Sequence, residues 1–160
     1  MTGRVLGIDY GDRRVGLALS DTLRTVATPL DTLVVQNPKQ LFRELRAIIE
    51  AQQVKCVVVG HPLHMDGGRG ALALAAEQFL ETLKKQLPNL EFALWDERLS
   101  SVEAERVLRH GAAKADRRKQ MRDQLAALLI LQSWLDARQP PGFDDAFDDE
   151  MDDWEFDESP

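Results

Sequence analysis

The chain has 160 residues, 44% hydrophobic and 29% charged, with a formal net charge of −7 at pH 7. That composition is a globular protein's, no apolar run approaches the ~20 residues that a bilayer span needs, and the opening residues MTGRVLG enter a strand with no signal-peptide layout. These features point to a cytoplasmic protein with no membrane partner, and the single cysteine, Cys56, excludes an intrachain disulfide and a cysteine metal cage.

Val5–Asp9 alternates apolar and polar residues in the manner of a strand. Arg14–Ser20 reads as a second strand after a tight turn at Gly11, and Thr28–Val34 as a third. A helix starts after Asn37, a good N-cap followed by Pro38, and carries the apolar stripe Leu41, Leu45, Ile48 and Ile49 to about Gln52. The run VVVG at 57–60 predicts a strand buried on both faces. The loop HPLHMDGGRG follows, then a helix over 71–86 closed by Pro88-Asn89. LEFALW at 90–95 predicts a strand ending at Asp96-Glu97. Ser100-x-x-Glu103 is a capping box for a helix ending at His110, AAKADRR is a loop, and a long helix spans about Arg117 to Arg138. Strand hairpins followed by alternating helices and strands imply an α/β fold with a mixed sheet. The domain is expected over 1–139, with Pro140-Pro141-Gly142 ending it and a tail over 140–160.

Charge is unevenly spread. From Asp144 to Pro160 there are ten acids and no Lys or Arg, so residues 1–143 carry a net +3. Within 98–122 there are eight bases and three acids. Such a strip is a solvated face in the ordinary case and a phosphate footprint in the other.

Three carboxylates stand at element ends. Asp9 closes the first strand and Asp96-Glu97 the last one, where α/β proteins place their chemistry. Asp123 shares a helical face with Ala126, Ala127 and Ile130. Plain structural roles stay open for each. Asp9 can cap its turn, Asp96-Glu97-Arg98 can form a surface ion pair, and Asp123 can pair with Lys119. Inward acids converging from several elements favour a hard cation, Mg²⁺ or Mn²⁺, which needs only carboxylate oxygen. His61, His64 and His110 lack metal-ligand spacing and read as loop or surface residues.

The segments GIDYGDRRVGLALSD, VVGHPLHMDG, DERLSSVEA and KQMRDQLAALLILQSWL, in this order over about 4–138, resemble the YqgF family, also called RuvX. A GIDxG turn alone also occurs in actin-like ATPases and sugar kinases, which need a second such domain. Asp12, His61 and Arg122 depart from the family pattern. The resemblance implies an RNase H-like α/β fold, a five-stranded mixed sheet with helices on both faces. It implies a nuclease related to RuvC-type Holliday junction resolvases. Asp9, Glu97 and Asp123 would form the catalytic and metal-binding centre for Mg²⁺ or Mn²⁺, with Asp96 a fourth acid nearby.

The implied substrate is nucleic acid, either the 5′ end of precursor 16S rRNA or a branched, four-way DNA junction. A homodimer would suit junction resolution. A binding module without catalysis is the rival from another class. Arg13 and Arg14 lie near the expected phosphate path, and Arg98 follows Glu97 directly. Lys114, Arg117, Arg118 and Lys119 are expected in or beside a loop over 112–119 that closes on nucleic acid.

In the acidic tail, Phe143, Phe147, Met151 and Trp154 recur at helical spacing among the acids. Mutual repulsion should keep it unfolded when free. The expectation is that it folds back over the 98–122 strip or docks on a basic partner.

Overall fold

The computed structural model describes residues 3–99 and 115–139, with side chains in the second stretch from Gln124 onward. Strands β1 (Arg4–Tyr10), β2 (Arg14–Ser20) and β3 (Ala27–Val34) run antiparallel in sequence. Helix α1 (Pro38–Ala51) crosses to β4 (Val54–His61), and α2 (Ala71–Gln86) crosses to β5 (Glu91–Asp96). A 3₁₀ turn covers Glu97–Leu99, and helix α3 spans Ala115–Asp136. The sheet order is β3-β2-β1-β4-β5, with β4 parallel to β1 and β5 parallel to β4. This is the five-stranded mixed sheet that the sequence implied.

Side-chain alternation divides the core into two layers. Leu6, Ile8, Leu17, Val57 and Val59 pack with Leu41, Leu45 and Ile49 of α1 and with Phe79, Leu80 and Leu83 of α2. On the other face Val5, Ala18, Cys56 and Val58 pack under Ala126, Ala127, Ile130 and Leu131 of α3. Each of the Val, Leu, Ile and Phe side chains contributes about 1.5–3 kcal/mol by leaving water. Helices therefore cover both faces, which is why the 57–59 valines have no polar partner in their alternation.

Local signals set the element ends. Asn37 Oδ1 accepts the Gln40 N–H at 2.9 Å, and Pro38 occupies the first turn of α1. At Gly11 a β-carbon would stand 2.6 Å from Arg14 O, so the β1–β2 turn needs the missing side chain. At Gly7 a β-carbon would stand 2.7 Å from Leu131 Cβ and 3.3 Å from Ala127 O. With Ala126 and Ala127, Gly7 lets α3 lie close on β1.

Two boundaries differ from the sequence reading. Strand β4 starts at Val54, three residues before VVVG, and ends at His61. Its extra residues extend the ladder with β1, where Arg4 pairs with Val54. Helix α3 starts at Ala115, two residues before the expected start, so Arg117, Arg118 and Lys119 stand beside the expected loop, in the helix. No Gly or Pro interrupts 115–119, and Ala, Arg and Lys are strong helix formers. The expected helix over 100–110, Lys114 and the tail over 140–160 lie outside the described residues.

Candidate active site

Asp9 belongs to the face of β1 that carries Val5 and Gly7, beneath α3. The residue after it, Tyr10, turns to the opposite face and stacks on Phe79 with ring centroids 4.3 Å apart. Asp9 pairs across the ladder with Gly16 of β2. On the other side Ile8 pairs with Val59 of the parallel β4, so the next step in register sets Asp9 beside Gly60. Adjacent strands are about 4.8 Å apart.

Glu97 reaches the same place from β5. It is 8% exposed, the least exposed acid among the described residues. Its Oε2 lies 3.1 Å from where a β-carbon on Gly60 would stand, and Ile130 Cδ1 lies 2.5 Å from that point. The bare Gly60 backbone is thus the floor of a notch holding the Glu97 carboxylate, with Ile130 as one wall. Trp95, two residues earlier, donates its Nε1–H to Ser133 Oγ at 2.5 Å and ties the end of β5 to α3. Both acids have polar partners within the protein.

Asp96 goes elsewhere. Ala93 and Trp95 face α3, so alternation sends Asp96 to the α2 face, beside His61 in the β4–β5 register. Arg98 grips it there, with Nε 3.0 Å from both carboxylate oxygens and Nη2 2.6 Å from Oδ2. This hydrogen bonding by Arg98 holds the Asp96 carboxyl below its usual range. The surface ion pair considered for Asp96 and Arg98 is therefore present. Arg98 also donates from Nη1 to Met65 O at 3.3 Å, which places it along a groove of about 400 Å³ shared by Leu63, Met65, Leu72 and Glu97.

Arg14 opens β2 on the α3 face by alternation with Val15, two residues from the Gly16 that pairs with Asp9. Arg13 is exposed in the turn, with its carbonyl accepting from Val35 N at 2.8 Å. Asp123 lies in α3 one turn before Ala127, and α3 runs antiparallel to β1, so the helix backbone at 123 reaches the Asp9 end of the sheet. The side chains of Asp123, Arg117, Arg118 and Lys119 lie outside the described residues, as does Lys114. Among the described residues no group of three His, Cys, Asp or Glu is placed to hold a metal ion.

One polar cluster was missed in the sequence. His61 is not a loop residue; it ends β4, half-buried, with Nε2 2.8 Å from Glu77 Oε2. Arg69 Nε shares that oxygen at 3.1 Å. Its only sequence signal was a histidine directly after VVVG, a place where a second-face partner becomes necessary.

The sheet order, the α3 layer and two carboxylates over neighbouring strand ends define an RNase H-like α/β protein. A Thermus thermophilus RuvC solved with a Holliday junction substrate shares this fold, with a TM-score of 0.50 at 18% identity, covering 85% of this chain and 96% of that one. The chain belongs to the RuvX family, whose model, described as Holliday junction resolvase, matches residues 3–137. A relative from Opitutus terrae is 45% identical over 138 residues, covering 86% of this chain and 94% of its own. One from Acetivibrio thermocellus is 38% identical over 136 residues, covering 84% and 96%. Both bear the name "Putative pre-16S rRNA nuclease". Among the described residues no helix is long and apolar enough to cross a membrane.

Proposed function

We propose that this protein is a divalent-metal-dependent endonuclease that hydrolyses phosphodiester bonds in structured nucleic acid, and that its substrate is the 5′ end of precursor 16S rRNA. The observation that carries the reading is the meeting of Glu97 with the strand end of Asp9 over the bare backbone of Gly60. The names of the relatives support the rRNA substrate. The resolvase description of the family model favours a second reading, cleavage of four-way DNA junctions.

Asp9, Glu97 and Asp123 are the residues that would hold Mg²⁺ or Mn²⁺. The donors are carboxylate oxygens alone, the set that suits a hard cation and not a soft one. The notch at Gly60 fits the same use, because it lets a carboxylate from β5 stand over β4 without a side chain between. The bound ions would supply activation of a water and stabilisation of the leaving 3′-oxygen. The chain's own residues hold this geometry. Tyr10 on Phe79 and Trp95 on Ser133 fix the two strand ends, and burial of Glu97 limits solvent screening. Arg14 extends on the same face, where a phosphate chain approaching Asp9 would pass. Arg98, paired with Asp96, orders the groove beside Glu97 through Met65 O.

The test is a panel of labelled substrates with Mn²⁺: a precursor rRNA 5′ leader, a four-way DNA junction, plain duplex and single strand. Cleavage of the leader by wild type, lost in Asp9→Asn, is the expected result. Cutting of the junction alone would favour the second reading. Cutting by Asp9→Asn at the wild-type rate would overturn the mechanism.

A further inference from the structure

At the end of the sheet remote from Asp9 and Glu97, a cavity of about 610 Å³ opens between α3, β4 and β5. Arg24, Cys56, Glu91, Trp134, Arg138 and Gln139 stand around it. Trp134 is 5% exposed, and its indole Nε1–H has no hydrogen-bond acceptor among the described residues. A buried donor left without an acceptor is costly. The Arg138 guanidinium lies on the Trp134 ring, 3.8 Å from its centroid, and donates to Trp134 O at 3.2 Å. Arg24 donates from Nε to Gly3 O at 2.9 Å and stands 3.8 Å from Glu91. The wall therefore combines two guanidiniums, one carboxylate and an indole. That chemistry suits a carboxylate beside an aromatic or apolar group.

The chain supplies such a segment at the rim. Gln139 anchors the end of the helical layer there, donating from Nε2 to Arg24 O at 3.0 Å. The next residues are PPGFDDAFDD. Pro-Gly, as at 141–142, is a pair favoured at the centre of chain-reversing turns. Asp144 and Asp145 are five and six residues beyond Gln139, within a reach of up to about 3.3–3.6 Å per residue. Attachment at the rim gives the segment an effective concentration of roughly millimolar.

We propose that this cavity is the docking site of the chain's own acidic segment, with Asp144 or Asp145 at Arg138, and Phe143 or Phe147 in the cavity. This places the tail away from the candidate active site and not over the 98–122 strip.

The test uses the full chain, ¹⁵N-labelled, in wild-type form and with Asp144, Asp145, Asp148 and Asp149 changed to Asn. Its three tryptophan indole N–H signals are assigned with Trp→Phe variants at 95, 134 and 154. Neutralising the tail should move the Trp134 signal and leave Trp95 nearly in place. Alkylation of Cys56 by N-ethylmaleimide gives a second readout, since Cys56 is the sole cysteine and lines the cavity. With a millimolar effective concentration and an intrinsic Kd about ten times lower, the segment is docked roughly nine-tenths of the time, so the rate should rise about tenfold when docking is lost. Unchanged Trp134 and Cys56 signals in the neutralised tail would overturn the proposal. So would shifts confined to residues 98–122, which would put the tail on the basic strip.

Discussion

The Glu97 carboxylate rests against Gly60: its Oε2 is 3.1 Å from the place a β-carbon at residue 60 would take, and Ile130 Cδ1 is 2.5 Å from the same place. Gly60→Ala should therefore strike two neighbours at once. Overpacking against Ile130 is expected to cost about 1–3 kcal/mol, read by urea unfolding. Adding Ile130→Val removes the clashing methyl and should return much of that stability. It should not return cleavage, because the carboxylate remains displaced. Full recovery of both in the double variant would separate Gly60 from the site.

Metal binding should be visible without catalysis. With Mn²⁺ at a hundred times its dissociation constant, linkage stabilises the folded chain by about 2.7 kcal/mol. For a chain of this size that is a rise in Tm of roughly 5–10 °C. Glu97→Gln and Asp9→Asn should show a much smaller rise. Chelation should abolish wild-type cleavage and return its Tm to the metal-free value. An equal Mn²⁺ response in wild type and Glu97→Gln would remove Glu97 from the ligand set.

The Asp96–Arg98 pair makes a pH prediction. Hydrogen bonding from Arg98 lowers the Asp96 pKa in the folded chain, so its stabilisation is complete above the unfolded carboxyl value of about 3.9. It is lost as pH falls below that value and through the depressed one. Asp96→Asn should lower stability slightly at neutral pH, flatten the acid limb of the stability curve, and converge with wild type below the depressed value. The same variant should loosen Arg98 from Met65 O, read as faster amide exchange across residues 63–68.

Gln132 pins the edge strand to α3. Its Oε1 accepts the Ala27 N–H at 2.9 Å, and its Nε2 donates to Thr25 O at 3.1 Å. Gln132→Ala should cost about 1–3 kcal/mol, since backbone groups lose partners under a helix. Thermal unfolding checks the loss, and protection of the Ala27 amide should fall with it.

Much of the architecture was legible in the residues, because periodicity and end signals are local. The alternation of β1 and β2, the Asn37-Pro38 start of α1 and the span of α2 each depend on a few neighbouring side chains. Asp9 and Glu97 were readable for a related reason: each sits where an apolar strand stops, and family motifs surround both. What could not be read was which side of the sheet each acid would take. Asp96 and Glu97 are adjacent in sequence, yet alternation and the turn after β5 send one to Arg98 and the other to Gly60. The value of Gly60 as an empty place, the pairing of His61 with Glu77, and the cavity under Trp134 were equally hidden. Each depends on contact between elements far apart in the chain, and the register of packed layers, set by the summed fit of many side chains, decides those contacts.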